Sequence, residues 1–229
     1  MIKKILAQER HFKNFGGLKT HWLFSFSDYY DPDNMKFGAL RVFNDDIIEP
    51  KAGFPDHPHD TMEIITIVLD GILTHTDNMG NTETLVTGEI QRMSAGEGIV
   101  HSEFNNSDKP IHLYQLWFYP NRKTTSGYEQ KKIHLDKKGL TALTSHKSIK
   151  GAVKLDSDAS ISILYIEKDH ALEYAIKKNE GLYIYVMQGN LKIQNDMYHT
   201  GDQARISFEK KITLATDMMA KAIFIQTQV

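Results

Sequence analysis

The chain has 229 residues and a formal charge of −2, which bound its size and the kinds of partner it can bind. With 27 basic residues against 29 acidic ones, it lacks the basic excess typical of proteins whose main work is binding nucleic acid. It contains no cysteine, so disulfides, thiolate metal ligands and cysteine nucleophiles are excluded, and any metal must be held by nitrogen and oxygen.

The apolar stretches of the sequence are short. The run from Ile5 to Ala7 is too short for a signal peptide, and no stretch approaches the length of a membrane span. We therefore expect a soluble, cytoplasmic protein that contacts neither membrane nor nucleic acid, and we expect it to be a monomer.

Segments rich in β-branched and aromatic residues predict strands. In chain order they are residues 61–69, 111–119, 160–166, 182–187 and 220–226. Glycine and asparagine turn signals separate them at short intervals, which predicts an all-β, antiparallel sandwich or barrel with few short helices. One helix is predicted over 136–145, where Leu135, Leu140 and Leu143 could share a face, although Gly139 disfavours it.

The two halves of the chain share a sequence pattern. EIITIVLDGILTH (63–75) aligns with GLYIYVMQGNLKI (181–193), so both halves have a strand, a glycine turn and a return strand. VTGEIQRMS (86–94) then aligns with HTGDQARIS (199–207). Two matches in the same order indicate an internal duplication.

The duplication also predicts domain boundaries. We expect an N-terminal domain over residues 1–120 and a C-terminal domain over 155–229. The polar, lysine-rich segment 121–154 is the natural connector between them.

Two histidines, His57 and His59, lie one residue apart in FPDHPHDTMEI (54–64). Pro58 between them has a fixed φ and favours extended geometry in the residue before it, so the segment 56–59 is predicted to be extended. Residues two apart in an extended chain face the same side. The imidazoles could therefore converge on a metal, or they could lie in a surface turn.

A second pair follows in MSAGEGIVHSEFN (93–105), where His101 and Glu103 are again two residues apart. Two antiparallel strands of one barrel could present both pairs at one point. Three neutral imidazoles and a carboxylate suit a first-row divalent metal, although these ligand types alone do not select the metal. Four protein ligands on a metal that accepts five or six leave open positions, as a catalytic site requires.

The second half of the chain provides an internal comparison for these ligands. Extending the ungapped alignment places Ala175, Lys177, Leu214 and Thr216 opposite the four candidates. None of these is a plausible ligand in such a site. We therefore predict one metal, in the N-terminal half.

These motifs resemble those of the cupin superfamily, and within it the pirin family. The resemblance is carried by LKTHWLFSFSDYYDPDNMKFGALRVFNDD (18–46), AGFPDHPHDTMEIITIVLDG (52–71) and MGNTETLVTGEIQRMSAGEGIVHSEFN (79–105). It is strong over the first 120 residues and holds in outline over the rest. It implies a bicupin, a pair of antiparallel β-barrels with one metal in the first barrel.

The resemblance also implies the metal ligands, which are His57, His59, His101 and Glu103. Iron is the favoured ion, with Mn, Ni, Cu, Zn and Co as alternatives. Glu63 occupies the position of a general cupin ligand, but in pirins the later glutamate binds the metal. We expect Glu63 beside the ligands, where it could orient an imidazole.

Compact bacterial pirins resemble quercetin 2,3-dioxygenases, which open the heterocycle of a flavonol with O₂ and release carbon monoxide. The resemblance thus implies a small aromatic substrate such as a flavonol, with O₂. Glu103 would be the catalytic residue, because it is the one ligand that could shuttle the proton of the flavonol 3-hydroxyl. Phe54, Phe37 and Phe43 are predicted to line an apolar pocket, although the last two could equally be core residues.

Two other functions remain open. Pirins also look like iron-dependent, redox-sensing regulators that bind a transcription factor or a metabolic enzyme, which leaves a protein partner open. A cupin enzyme acting on a small polar metabolite would need a polar pocket, and the aromatic residues near the ligands disfavour it.

Overall fold

The computed structural model describes residues 1–145 and 149–229, which form a protein built almost entirely of β-strands. The strands of the first half are β1 (Ile2–Ile5), β2 (His11–Asn14), β3 (Leu18–Trp22), β4 (Leu40–Ile48), β5 (Gly53–His59), β6 (Glu63–Asp70), β7 (Ile72–Asp77), β8 (Thr82–Val86), β9 (Glu89–Ser94), β10 (Ile99–Phe104) and β11 (Ile111–Phe118). Those of the second half are β12 (Gly127–Lys132), β13 (Gly139–Ala142), β14 (Thr144–Ser145), β15 (Val153–Lys154), β16 (Ala159–Ile166), β17 (Ala171–Ala175), β18 (Glu180–Ile193), β19 (Asp196–His199), β20 (Gln203–Ile206), β21 (Lys211–Ala215) and β22 (Ala220–Gln228).

The all-β prediction is confirmed, and all five predicted strands are present as β6, β11, β16, β18 and β22. Two single-turn 3-10 helices, Ala7–Glu9 and Pro32–Asn34, supply the helical residues of the described chain. Within that part of the chain no helix combines the length and the apolar character needed to cross a bilayer.

The helix predicted over 136–145 is wrong, because this segment forms β13 and β14. Gly139 has a φ of +83°, which a right-handed helix cannot contain, and the residues after it pair with the edge of β16. Leu143 is fully buried whereas Leu140 is exposed. The leucine spacing therefore reflects separate contacts and not one helical face.

The first half forms a barrel from two sheets that face each other. Seven strands follow the order β12-β9-β6-β11-β4-β3-β2, and four follow the order β5-β10-β7-β8. Apolar residues from both sheets, including Ile48 and Leu113 on one and Leu73 and Leu85 on the other, pack together at one end of the interior.

The second half repeats this arrangement, as the internal duplication predicts. Its central strand order β20-β18-β22-β16 corresponds to β9-β6-β11-β4 of the first half. Leu69 and Met187, which are aligned in the two halves, are each the extra residue of a β-bulge. The aligned hairpin glycines Gly71 and Gly189 have φ values of +96° and +82°, a conformation that strains other residues.

Each half also supplies an edge strand to the other. β1 pairs with β20 of the second half, and β12 pairs with β9 of the first half. Main-chain hydrogen bonds therefore join the two halves, and each exchanged strand covers an edge that would otherwise be exposed.

The two large sheets pack against each other through their outer faces. The shared core contains Phe43, Ile65, Tyr114 and Leu116 from the first half and Ile161, Tyr183, Tyr185 and Ile223 from the second. Because side chains alternate along a strand, residues of the opposite parity, such as Asn44 and Thr66, face the interior of the first barrel.

Replacing Phe43 with Ala should strongly destabilise the protein. Phe43 is fully buried, and its ring lies 5.1 Å from Tyr185 and 5.3 Å from Tyr114 between ring centroids. We expect a loss of about 3–5 kcal/mol in the free energy of unfolding, measured by urea denaturation. The control is Phe208→Ala, because Phe208 is 83% exposed and should change stability by less than about 0.5 kcal/mol. Equal effects of the two changes would contradict a stabilising interface.

Candidate metal centre

The two predicted ligand pairs lie on neighbouring antiparallel strands, β5 and β10, and the extended geometry predicted for 56–59 is confirmed. The register sets His57 directly opposite His101. The strands are held close at Gly53, where a Cβ atom would lie 2.2 Å from the carbonyl oxygen of Glu103. A glycine at this position thus allows β5 to approach the strand that carries the other ligands.

Three of the predicted ligands form one cluster. The ring centroids of His57 and His101 are 4.4 Å apart, those of His57 and His59 are 4.7 Å apart, and those of His59 and His101 are 4.9 Å apart. One nitrogen from each ring lies within 4.8 Å of one nitrogen from each of the others. This arrangement suits the binding of one divalent ion.

Glu103, the fourth predicted ligand, belongs to a second cluster. It lies with His75 and His101, again with all ligand atoms within 4.8 Å of one another. The two clusters share His101, so Glu103 adjoins the three-histidine cluster. The pairing of β10 with β7 sets Glu103 opposite His75, and the Nδ1 atoms of His75 and His101 are 3.3 Å apart.

His75 is not among the ligands that the sequence predicted. Asp77 follows it by two residues, and the Asp77 carboxylate lies 3.6 Å from His75 Nε2, so an HxD pattern was present in the sequence. The position of His75 depends on β7 pairing with β10, and such long-range pairing cannot be read from local alternation.

A row of polar residues crosses the inner face of the large sheet beneath the clusters. Neighbouring strands place Asn44 opposite Gln115, Gln115 opposite Thr66, and Thr66 opposite Gln91. We call these four residues the polar row. Buried polar groups require partners, and for Gln115, Thr66 and Gln91 the partners come from the facing sheet.

The polar row holds the acid and the fourth histidine in place. Gln115 Nε2 donates a hydrogen bond to Glu103, and the Thr66 hydroxyl lies 3.4 Å from the other carboxylate oxygen. Gln91 Nε2 lies 3.4 Å from His75 Nδ1. The carboxylate is therefore oriented by contacts from two neighbouring strands before any metal binds.

Burial keeps the imidazoles of His59 and His101 neutral. Desolvation, aided by the neighbouring histidines, lowers the pKa of His101 to about 2. Desolvation and then His57 lower the pKa of His59 to about 4. Neutral imidazole is the form that binds metals. Among the described residues, His101 Nε2 is also buried without a hydrogen-bond partner, so the cluster fits a divalent ion.

Burial raises the pKa of Glu103 to about 7, although the hydrogen bonds from Gln115 and Thr66 act to lower it. An isolated carboxylate in this position is therefore destabilised, and a cation beside it would restore the charged form. The site thus has a donor set that a metal complements.

The second barrel has no equivalent of this site within the described residues. Its strands place Ser162, Phe224, Ile184 and Ala204 at the positions of the polar row. The last three belong to the apolar core that fills this barrel.

The strand register also identifies the counterparts of the ligands. Glu103 lies opposite His75, and Leu214 lies opposite Ile193, which is aligned with His75. Followed along the strands, this register makes Tyr174, Ile176, Ile212 and Leu214 the counterparts of His57, His59, His101 and Glu103.

This register corrects the ungapped alignment, which proposed Ala175, Lys177, Leu214 and Thr216. The true counterparts differ by one residue in the first pair and by two in the second, because the segments between strands differ in length. A one-residue shift moves a side chain to the other face of its strand. The true counterparts are apolar or aromatic, so none is a plausible ligand, in agreement with the sequence-based expectation.

Glu63 lies on the other face of β6 from the metal cluster. Glu63 is two residues from Ile65 on β6, so it faces the same side, towards the core between the sheets. The Asp156 N–H donates a hydrogen bond of 3.4 Å to the Glu63 carboxylate. Burial raises its pKa, opposed by Ser94 and Arg92. The expectation that Glu63 orients an imidazole is therefore wrong, because alternation directs it away from the histidines.

An aromatic cavity of about 280 Å³ opens beside His57. Its walls include Trp22, Phe26, Phe54 and Trp117. Phe54 therefore lies where sequence reasoning put it, with its ring centroid 6.2 Å from that of His57.

Phe37 and Phe43 do not belong to this cavity. Phe43 is part of the core between the two sheets, and Phe37 packs against that core with its ring 6.3 Å from Tyr183. The structure therefore removes both from the candidate pocket residues and assigns them the alternative role in the core.

The fold and the cluster define a bicupin with a candidate metal site in its first barrel. A family model described as Pirin matches residues 6–118, and one described as Quercetinase C-terminal cupin domain matches residues 142–226.

The chain is 40% identical over 219 residues to quercetin 2,3-dioxygenase of Escherichia coli strain K12, covering 95% of this chain and 94% of that protein. It is 34% identical to a pirin-like protein of Caulobacter vibrioides, covering 96% and 99%. The crystal structure of the bacterial pirin YhhW from Escherichia coli in complex with nickel(II) superposes with a TM-score of 0.95 at 37% identity, covering 100% of this chain and 99% of that one. The protein therefore belongs to the pirin family, as its motifs predicted.

Metal binding should stabilise the wild-type protein and should not stabilise the His101→Ala variant. An ion that binds only the folded state adds about 2.7 kcal/mol to the free energy of unfolding at 100 times its Kd. Urea denaturation with and without excess Ni²⁺ measures this increment. His170→Ala, which changes an exposed histidine, should retain it. The cluster is not the binding site if His101→Ala keeps the full increment.

Proposed function

We propose that this protein is a metal-dependent dioxygenase that opens the heterocyclic ring of flavonols such as quercetin with O₂ and releases carbon monoxide. The observation that carries the proposal is the aromatic cavity beside His57, next to the histidine cluster. Such a cavity suits a planar, largely apolar substrate better than a small polar metabolite. The similarity to a curated quercetin 2,3-dioxygenase over 95% of the chain supports the same reaction.

We propose His57, His59, His101 and Glu103 as the ligands of one divalent ion. Iron remains the favoured ion from the family resemblance, and the nickel(II) complex of a relative makes nickel the first alternative to test. When bound, the ion would supply a Lewis acid that stabilises the deprotonated 3-hydroxyl of a flavonol.

Glu103 is the proposed base for that 3-hydroxyl. Its carboxylate is fully buried and is held by Gln115 and Thr66, so it presents a fixed acceptor to the substrate. A cation beside Glu103 would keep this buried carboxylate in its charged form, which is the form that accepts a proton.

The cavity walls would orient the substrate. Trp22 and Phe26 are in edge-to-face contact at 5.3 Å, and Phe26 makes the same contact with Trp117. This chain of rings gives a flat ligand stable surfaces for stacking, and it excludes water from the side of the cluster that faces the cavity.

The Glu103→Gln variant should keep part of the metal and lose most of its turnover. Glutamine can still offer an oxygen to a metal but cannot accept the hydroxyl proton, so we expect a loss of at least about 100-fold in kcat. Oxygen consumption and carbon monoxide release with quercetin measure turnover, and elemental analysis measures metal content. Glu173→Gln, at a side chain that is 66% exposed, is the matched control and should behave as wild type.

Full turnover in metal-loaded Glu103→Gln would reject the role of Glu103 as a base. Absence of quercetin turnover with Fe, Ni, Mn, Co, Cu and Zn in the wild-type protein would reject the dioxygenase. That second result would favour the redox-sensing regulator, whose capture of a partner protein should change when bound iron is oxidised.

A further inference from the structure

Asp46 is a buried acid in the first barrel that the proposed mechanism does not use. It lies on β4 between Thr20 and Leu113 of the neighbouring strands and faces the barrel interior. Asp46 is only 1% exposed. Neither of its carboxyl oxygens has a hydrogen-bond partner among residues 1–145 and 149–229.

Such a group is costly to keep in a folded protein. An unpaired carboxyl loses its hydration without replacement, and burial raises the pKa of Asp46 to about 8, with smaller contributions from Asp45 and Glu103. Thr20 opposes this rise in pKa, but its hydroxyl makes no hydrogen bond of normal geometry to the carboxyl within the described chain. Natural proteins rarely leave buried polar groups unpaired, so each exception calls for a physical reason.

The location of Asp46 supplies a reason. Asp46 lines the same aromatic cavity as His57, Trp22 and Trp117. Asn44 lines it too, and its Oδ1 is likewise buried without a partner within the described residues. The cavity thus combines apolar walls with hydrogen-bonding groups that the protein itself does not satisfy, as expected of a ligand site.

One ligand can reach both the metal cluster and Asp46. Asn44 lies opposite Gln115, and Gln115 bonds the proposed base Glu103. Asp46 is two residues further along the same face of β4, and both Asp46 and His57 line the cavity. A planar ligand with one oxygen at the metal cluster can therefore place a second oxygen next to Asp46.

We propose that Asp46 hydrogen-bonds a ring hydroxyl of a polyhydroxylated aromatic substrate and so selects ring-hydroxylated flavonols over unsubstituted ones. A carboxyl group can accept a hydrogen bond from a phenol in either protonation state, and can also donate one when protonated. The identity of the substrate class rests on the proposed function, whereas the position of the hydroxyl contact rests on the cavity.

The cavity provides its own reporter of binding. The chain has two tryptophans, and both Trp22 and Trp117 line this cavity. Quenching of tryptophan fluorescence in the Ni²⁺-loaded protein without O₂ therefore measures binding independently of turnover. The two probes are quercetin and 3-hydroxyflavone, which share the 3-hydroxyl and the 4-keto group but differ in the ring hydroxyls.

The informative variant is Asp46→Val, which removes the hydrogen-bonding group. We expect it to weaken quercetin binding by about 10- to 100-fold and to change 3-hydroxyflavone binding by less than about 3-fold. Asp46→Asn keeps a hydrogen-bonding side chain and should retain much of the preference for quercetin. Asp136→Val, the same change at a side chain that is 81% exposed and lies outside the cavity, should leave both affinities unchanged.

A stability measurement separates this role from a structural one. If Asp46 is present for a ligand, Asp46→Val should raise the urea midpoint of the free protein, because it removes an unpaired buried polar group. A lower midpoint together with equal weakening of both probes would assign Asp46 to the fold and overturn the proposal.

The binding and turnover results can fail separately. A preference for quercetin that depends on Asp46, without turnover by any metal form, would support the contact and reject the dioxygenase. Turnover of quercetin with no differential effect of Asp46→Val would support the dioxygenase and reject the contact. Failure of the wild-type protein to bind either probe would overturn the inference, and turnover assays would still decide the function.

Discussion

The site depends on the polar row that crosses the inner face of the large N-terminal sheet. Three of its four side chains, those of Gln115, Thr66 and Gln91, contact Glu103 and His75 on the facing sheet, which provide the partners that buried polar groups need. The same contacts join the two sheets and orient the carboxylate. In the second barrel the equivalent positions are mostly apolar, and a hydrophobic core fills the interior instead.

The first barrel can keep a polar interior because the other face of its large sheet buries apolar surface, which stabilises the fold. Phe43, Ile65 and Tyr114 pack against Tyr183 and its neighbours from the second half. The two barrels of the duplication therefore have different roles. The second provides an apolar surface for packing, and the first keeps polar groups and a cavity in its interior. Hydrophobic burial of this kind is the main favourable contribution to folding.

Much of this organisation could be predicted from local sequence. Proline geometry predicted the extended HxH segment, the HxE pair was identified by its matching spacing, and the repeated hairpin predicted two related barrels. The wrong predictions concern which side of the sheet a residue faces and which part of the protein it packs against. Glu63 and Phe43 both face the core between the sheets, and because this sheet is buried on both sides, solvent exposure does not distinguish that face from the one that carries the site. His75 depends on a pairing between distant strands, and the leucines of 136–145 have helical spacing but follow a glycine with a positive φ.

The exchanged edge strands bear on how the chain can fold. β1 belongs to the sheet of the second half, where Ile2 pairs with Ile206, so β1 gains its partner only after residues 203–206 have been made. Strand β9 of the first barrel likewise lacks its edge partner until β12 has been synthesised. The strands of the first barrel all lie within residues 11–132, so this barrel can close before the rest of the second half is made, whereas β1 must wait for β20. Pairings of such long range slow the search for the native state, and until they form both unpaired edges are exposed to association with other chains.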